Sequence, residues 1–182
     1  MLYFLQDLSD TNETSDFTDI MNRYGNDVLR MAYLYVKSKQ KAEDICQDVF
    51  VMALIKKAYE YPDDKQKAWL IKVTVNACKN YVGSYWNRNV YVDSETINAS
   101  AHDTYSDEVD TELIRNETKK TIIEAIHELP PKYRLIIILY YYQELNTTQI
   151  AKTLGLPRGT VKSRFARAKE LLEMKFQEDA IV

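Results

Sequence analysis

Glycine and proline are scarce in this chain, whose 182 residues contain only four of each. A β-sandwich or an α/β enzyme of this length needs more turn residues, because tight turns join its many strands. Hydrophobic residues make up 46% and charged residues 28% of the chain, which is typical of a globular protein and argues against global disorder. The composition therefore predicts an all-α fold.

Cysteine and histidine are also rare. Cys46 and Cys78 lie in segments predicted to be helical and show neither CxxC nor metal-ligand spacing, so we expect reduced thiols. His102 and His127 are isolated from each other and from other candidate ligands. The chain has no glycine-rich nucleotide loop, no Walker motif and no HExxH motif. We therefore predict no metal, no cofactor, no catalytic residue and no enzymatic activity.

Long hydrophobic runs are missing as well. The longest apolar run covers residues 135–142 and is far shorter than a membrane span. The N-terminal segment MLYFLQDLSD has only a short apolar run and no basic cluster before it, which argues against a secretory signal. The sequence predicts a soluble, cytoplasmic protein without direct membrane insertion.

Charge is unevenly distributed, although the net charge is only −3. Residues 94–112 contain six acidic residues and no lysine or arginine, whereas residues 146–175 contain seven basic residues and two acidic ones. A basic C-terminal segment in an acidic protein indicates a local nucleic-acid-binding surface, because binding depends on clustered positive charge rather than on the net charge.

Helical spacing of apolar residues divides the chain into two small helical domains joined by a flexible acidic linker. The predicted parts are an N-terminal extension, a first domain, the linker and a second domain, at residues 1–16, 17–89, 90–111 and 112–176. The predicted helices cover about 17–35, 41–59, 67–87, 111–128, 132–143, 147–154 and 158–176, with a loop at 60–67. The apolar segment 132–143 would also suit a buried strand, but no partner strand exists, and Pro130-Pro131 suits a helix start.

A helix-turn-helix motif is predicted in the segment TTQIAKTLGLPRGTVKSRFARAKELL. Asn146 or Thr147 is a suitable N-cap for its first helix. Gly155 suits a left-handed turn after that helix, and Val161 lies on the inner face of the second helix. This spacing is typical of helix-turn-helix proteins.

The second helix of the motif is rich in hydrogen-bond donors on its outer side. Such side chains suit contacts to base edges and phosphates in the major groove. The predicted DNA-contacting residues are Arg158, Thr160, Lys162, Ser163, Arg164 and Arg167. A solvated basic face on a helical hairpin is the alternative.

The third helix carries a second candidate nucleic-acid face. Lys72, Asn76, Lys79, Gly83 and Trp86 follow one another at steps of four and three and share one side. Basic and amide side chains near aromatic residues suit single-stranded DNA, because bases stack on aromatic rings. Aromatic residues at this spacing are more often core residues, and Trp69 in particular is expected in the core.

The chain resembles the extracytoplasmic-function sigma factors, a compact class of bacterial sigma factors. Three blocks carry the resemblance: AEDICQDVFVMA at 42–53, WLIKVTVNACKNY at 69–81, and the segment 129–172 with its TVKSR sequence. The resemblance implies an alternative sigma factor that binds core RNA polymerase and promoter DNA and directs transcription initiation of a stress or envelope regulon. It also implies a membrane-anchored anti-sigma factor as inhibitor.

By this resemblance, the helix-turn-helix would read the −35 element and contact the polymerase flap. The third helix, with the loop before it, would melt and read the −10 element, and the second helix would dock on the polymerase clamp helices. The implied −10 residues are Lys72, Asn76, Lys79 and Asn80, and the implied docking residues are Asp44, Gln47, Asp48 and Phe50. Asn80 and Gly83 depart from the family pattern, and glycine destabilises a helix interior, so the third helix is expected to end or bend near Gly83.

Three other kinds of function are possible alternatives. A stand-alone repressor or activator would use the same helix-turn-helix on duplex DNA, normally as a dimer. A helical adaptor or an enzyme would not need the basic second helix. The polar face at 44–48 and the second candidate DNA face argue against a stand-alone repressor or activator, and the lack of catalytic motifs argues against an enzyme.

Overall fold

A computed structural model describes residues 11–89 and 117–179 of the chain, and the predicted linker at 90–111 lies outside these ranges. The described residues form α-helices and no β-strand, so the predicted all-α class is confirmed. The helices are α1 (Thr11–Val36), α2 (Lys39–Ile55), α3 (Asp63–Asn89), α4 (Glu117–Glu128), α5 (Pro131–Ile137), α6 (Thr147–Leu154) and α7 (Arg158–Asp179).

The first helix begins earlier than the sequence predicts. We expected an extension at 1–16 and a helix from about residue 17, but α1 already begins at Thr11. Residues 11–16 have no apolar periodicity, so the pattern could not reveal this part of the helix. Among the side chains of α1 that the structure describes, Phe17 is the first that is buried, and the apolar pattern of the sequence starts at this residue.

The connection between the second and third helices also differs from the prediction. Helix α2 ends at Ile55 instead of residue 59, because Lys57 adopts a left-handed conformation with φ of 49° and a short 3₁₀ helix follows at Ala58–Glu60. The predicted loop at 60–67 is wrong beyond Pro62. Asp63 already begins α3, whose first turn contains two aspartates that interact favourably with the positive end of the helix dipole.

Helix α3 continues past its glycine. We expected an end or a bend near Gly83, but the helix runs to Asn89. A glycine costs a helix interior only about 1 kcal/mol relative to alanine, which the remaining hydrogen bonds and packing of a 27-residue helix can offset.

The apolar segment at 132–143 is helical, as predicted. Pro131 occupies the first turn of α5, and a π-helical turn at Ile138–Tyr142 follows directly. Residues 135–139 are all buried. Because both elements are surrounded by other helices, this segment is apolar on every side, and its helical periodicity is hidden in the sequence.

One apolar core connects the two groups of helices. Helix α1 packs against α2 and α3 and also against α5 and the π turn, while α3 contacts α6. Val28 and Met31 of α1 belong to the same buried cluster as Leu135 and Leu139. The helices before residue 90 therefore pack directly against those after residue 116. The boundaries of the two predicted domains stay a prediction. Within the described ranges, no helix is long and apolar enough to cross a membrane.

Candidate nucleic-acid interface

The helix-turn-helix forms around two specific local interactions. The Asn146 side chain accepts hydrogen bonds from the backbone N–H groups of Thr148 and Gln149, and the Gln149 side chain accepts one from the Asn146 N–H. This capping box satisfies the free donors at the start of α6. At the other end, Gly155 has φ of 65°, and the Leu156 N–H donates to the Ala151 carbonyl at 3.0 Å. The predicted left-handed turn is confirmed.

We expect Gly155→Ala to lower the free energy of unfolding by about 1 kcal/mol, because an L-residue is strained at this positive φ. Apart from Gly155 itself and its two chain neighbours, no atom lies within 4 Å of the position that a Cβ would occupy, so backbone strain is the main cost. Gly159→Ala is the matched control, since Gly159 also has free space and lies within helix α7. That control should be neutral or slightly stabilising in urea unfolding. Equal effects of the two substitutions would contradict the role of the turn.

The inner face of α7 is the predicted one. Val161 and Ala168 are completely buried, and Val161 shares a core cluster with Ile150 of α6. Phe165 is partly buried and packs on Tyr140, with 4.4 Å between the ring centroids. These contacts fix the rotation of α7 and determine which of its side chains face outward.

The predicted DNA-contacting residues of α7 lie around its exposed side. Arg158, Lys162, Ser163 and Arg167 are exposed, whereas Thr160 and Arg164 are half-buried. With about 100° between successive residues of a helix, the six do not form one narrow stripe. Thr160, Ser163, Arg164 and Arg167 share one side, and Arg158 and Lys162 lie at the opposite edge. A helix inserted in the major groove meets DNA on both sides, so this spread suits base contacts on one side and phosphate contacts on the other.

Two of these side chains already have intramolecular partners. An Arg167 Nη1 atom lies 2.8 Å from Glu170 Oε2, and both side chains are more than half exposed. Exposed pairs of this kind contribute little stability, so a phosphate can compete for the guanidinium. The Ser163 hydroxyl donates to the Thr160 carbonyl at 3.1 Å, which leaves its oxygen available as an acceptor.

The candidate face on α3 is brought together by the structure. Lys72, Asn76 and Asn80 are exposed at steps of four residues, and Lys79 is half-buried beside them. Burial lowers the pKa of Lys79, and the nearby Arg164 charge lowers it further. Trp86, the aromatic residue predicted on this face, is not among the residues whose side chains the structure describes.

Trp69 is not the core residue that the sequence predicts. Its side chain is only partly buried at the edge of the core, and its ring packs edge-to-face on Tyr61, with 6.4 Å between the centroids. Val73 and Ala77, on the same stripe, are partly buried at the edge of the core as well. The pair of Tyr61 and Trp69 thus adds aromatic surface next to Lys72, which the sequence analysis missed.

The third set of predicted residues lies on α2. Asp44, Gln47 and Asp48 are exposed on one side of the helix, and Asp44 pairs with Lys41 at 3.0 Å. Phe50 was wrongly predicted as a docking residue, because its side chain is only 2% exposed and packs in the core. The exposed side of α2 continues instead through three apolar side chains. Their positions could have been predicted, because they follow Gln47 and Asp48 at steps of three or four residues. These side chains are Val51, Met52 and Ile55.

The described part of the chain offers no group of three or more side chains that could hold a metal ion. Its two thiols are protected: burial raises the pKa of Cys46 to about 11 and that of Cys78 to about 12. Neither cysteine is therefore activated for nucleophilic chemistry.

Two family models match the chain. Residues 20–88 match sigma-70 region 2, and residues 119–172 match sigma-70 region 4. The first match covers the docking and α3 residues, and the second covers the helix-turn-helix. The two matched regions lie in the two groups of helices that pack together in the structure.

Complete relatives are also similar. The chain is 30% identical over 166 residues to the ECF RNA polymerase sigma-E factor of Haemophilus influenzae, and the alignment covers 88% of this chain and 87% of the relative. It is 28% identical over 168 residues to the ECF RNA polymerase sigma factor SigW of Bacillus subtilis, with 89% of each chain covered.

Among solved structures, the fold is similar to that of the sigma factor RpoE from Bartonella quintana in complex with the anti-sigma factor NepR. The TM-score is 0.66 at 22% identity, with 89% of this chain and 97% of that chain covered. CnrH in complex with the cytosolic domain of CnrY gives a TM-score of 0.59 at 19% identity, with 90% and 88% covered. At these identities the two structures support the fold.

Proposed function

Because the chain belongs to the ECF family of RNA polymerase sigma factors, as its sequence motifs suggested, we propose that it binds core polymerase and recognises promoters through two separate DNA faces. In this role it regulates transcription initiation and contributes no catalysis of its own. It would act in the cytoplasm, where promoter DNA and polymerase are found, on genes of a stress or envelope response.

The observation that carries the proposal is the helix-turn-helix with its exposed cations. The turn at Gly155 and the buried Val161 hold α7 so that Arg158 and Lys162 face solvent near its first turns. The N-terminal end of a recognition helix is the part that enters the major groove. We assign Arg158, Thr160, Lys162, Ser163, Arg164 and Arg167 to the −35 element, with the α4–α7 unit also contacting the polymerase flap.

The exposed face of α3 suits the −10 element. Asn76 and Asn80 provide amide donors and acceptors for base edges, while Lys72 and Lys79 provide positive charge for the backbone. The partly exposed Tyr61–Trp69 pair lies at the start of this face, where an unstacked base would find an aromatic surface. Contacts of this kind favour melted single-stranded DNA, because paired bases do not expose their faces.

The exposed stripe of α2 suits the polymerase clamp helices. Its first half is polar and acidic, with Asp44, Gln47 and Asp48, and its second half is apolar, with Val51 and Ile55. Ile55 is 63% exposed and forms an apolar patch with the exposed Val51 and Met52, and contiguous apolar patches of this kind mark sites of protein interaction. A helical partner with basic and apolar side chains would match both halves.

Asp48→Ala is expected to weaken binding to core polymerase by about 10-fold, because the variant loses a carboxylate that would pair with a basic group of the clamp. Fluorescence anisotropy of the labelled chain, titrated with core enzyme, measures this affinity. Asp19→Ala removes an equally exposed carboxylate from α1 and should change the affinity less than twofold. Unchanged affinity of the Asp48 variant would remove this residue from the docking surface.

An inhibitory protein partner is part of the proposal. RpoE and CnrH, whose folds this chain shares, are each seen in complex with another protein, in the first case an anti-sigma factor. The apolar residues exposed on α2 and the basic residues of α7 provide surfaces that such an inhibitor can cover. We propose that this inhibitor is an anti-sigma factor that is anchored in the membrane.

Run-off transcription with purified core polymerase tests the proposed function. We expect promoter-specific transcripts only when both the chain and the core enzyme are present. A gel shift of the same promoter separates the proposal from a stand-alone repressor: a sigma factor should give little specific binding without core polymerase. Strong specific binding of the chain alone, with no transcripts, would overturn the proposal.

A further inference from the structure

Helix α7 carries an acidic residue on the side that faces away from the core. Glu170 is the first acidic residue of this helix, and it follows nine residues after the buried Val161. Because successive residues of a helix are rotated by about 100°, Glu170 lies about 180° from Val161 and about 20° from Ser163. Both Glu170 and Ser163 are exposed. A carboxylate therefore lies on the same side as residues that we assign to the −35 element.

This carboxylate holds one edge of an arginine. Arg167 Nη1 donates to Glu170 Oε2 at 2.8 Å. The guanidinium is planar and has its five N–H donors in a fixed arrangement, so a bond to Nη1 restricts the orientation of the whole group. Within the described part of the chain, Nε and Nη2 of Arg167 form no hydrogen bond. The edge formed by these two atoms is therefore available to a ligand.

Helix stability does not account for this pair. The two side chains are 53% and 58% exposed, and exposed ion pairs contribute little to stability. The order of the charges is also the less favourable one, because a helix gains more when the acidic residue precedes the basic one. For a helix that binds DNA the carboxylate has a further cost, since it repels the phosphates. The effect of the pair on Arg167 itself is therefore the better explanation.

The free edge of Arg167 matches one base in particular. In the major groove guanine presents two acceptors, O6 and N7, and two parallel N–H groups of a guanidinium bind both. Arg167 lies about two and a half turns after the start of α7, in the part of a recognition helix that reaches the groove. An unrestrained arginine loses many rotamers when it binds, whereas one already held by Glu170 loses fewer. Glu170 thus lowers the cost of a base contact by Arg167.

We infer that Glu170 is a positioning residue, which holds Arg167 so that its Nε and Nη2 atoms bind a guanine of the −35 element. The inference rests on the proposed function and adds to it a residue that acts through another. It predicts effects of opposite sign for two kinds of contact. Removal of Glu170 weakens a base contact, which needs orientation, and strengthens phosphate contacts, which need only positive charge.

Selection from a pool of promoter duplexes with a randomised −35 element tests this inference. The holoenzyme, formed from core polymerase and the full chain, binds the pool, and the bound duplexes are sequenced. We expect the wild-type chain to select a guanine at one position of the element. Arg167→Ala should lose the preference for this guanine and keep the other selected positions, which identifies the base that Arg167 reads.

Glu170→Ala is the main variant. We expect its preference for that guanine to fall about fivefold, while its affinity for a duplex with a scrambled −35 element rises about twofold. Glu170→Gln removes the same charge but keeps an oxygen that can accept from Arg167, so it should retain more of the guanine preference. Glu173→Ala is the matched control, because it removes an exposed carboxylate three residues later and should leave the preference unchanged. Circular dichroism checks that every variant retains its helicity.

Three results would overturn the inference. The first is an unchanged guanine preference in Glu170→Ala, and the second is an equal loss in Glu173→Ala. The third is an Arg167→Ala variant that binds all −35 sequences more weakly by the same factor, which would show that Arg167 binds a phosphate. A wild-type holoenzyme that selects no −35 sequence would show that the proposed function itself is wrong, and the inference with it. A selected element without a guanine that depends on Arg167 overturns only the inference.

Discussion

Lys162→Glu is expected to lower the affinity of the holoenzyme for a −35-dependent promoter by about 10- to 100-fold. Lys162 is exposed in the first half of α7, where a recognition helix meets DNA. The substitution removes one phosphate contact and places a negative charge beside the DNA. Because each neutralised phosphate contributes about one counterion to the salt dependence, the slope of log affinity against log salt should also become shallower by about one.

The matched control lies on the same helix. Lys169 is exposed seven residues after Lys162, so it points to nearly the same side but lies two turns farther from the N-terminus of α7. Lys169→Glu causes the same change in net charge and should weaken binding less than about threefold. Promoter binding of the holoenzyme at several salt concentrations measures both variants. Equal losses for the two would indicate a general charge effect and contradict the assignment of α7 as the reading helix.

His127 is expected to make the fold sensitive to acid. Burial lowers its pKa to about 4, and the positive charges of Arg134 and Lys37 add to this effect, against a hydrogen bond with the Tyr33 backbone. In the unfolded chain the imidazole has a pKa of about 6.5. As pH falls below 6.5, the unfolded chain therefore binds the proton first, and folding loses stability until about pH 4. The loss is about 2 kcal/mol at pH 5 and about 3 kcal/mol at pH 4.

His127→Asn isolates this contribution from the titration of carboxylates. The asparagine amide keeps a donor for the Tyr33 backbone but does not titrate. Urea unfolding of both proteins at pH 7 and pH 5 gives the comparison, in which wild type should lose about 2 kcal/mol more than the variant. His127 also packs edge-to-face on Tyr33 of α1, with 5.3 Å between the rings. Parallel stability losses in both proteins would show that His127 titrates normally in the folded state.

The sequence was informative where local interactions decide the structure. The turn at Gly155 and the inner position of Val161 were predicted from their spacing, and the N-cap was narrowed to Asn146 or Thr147, because each depends on neighbours within a few residues. Helical spacing also placed Lys72 and Asn76 on one exposed face of α3, whereas Asn80 was named only through the family resemblance. Errors occurred where apolar periodicity was absent, as at the start of α1, or where packing set the burial, as for Phe50 and Trp69.

The amino-acid sequence by itself determined the helical class, the helix-turn-helix and the family, since these follow from composition, short-range spacing and motif. Only the tertiary structure decided how the two groups of helices meet. Arg134 donates to Tyr35 from 99 positions away, and the positive charge of Arg164 lowers the pKa of Lys79 across the same contact. No periodicity encodes such pairs, because they depend on the packing of helices that are distant in the chain. This contact therefore became visible only in three dimensions.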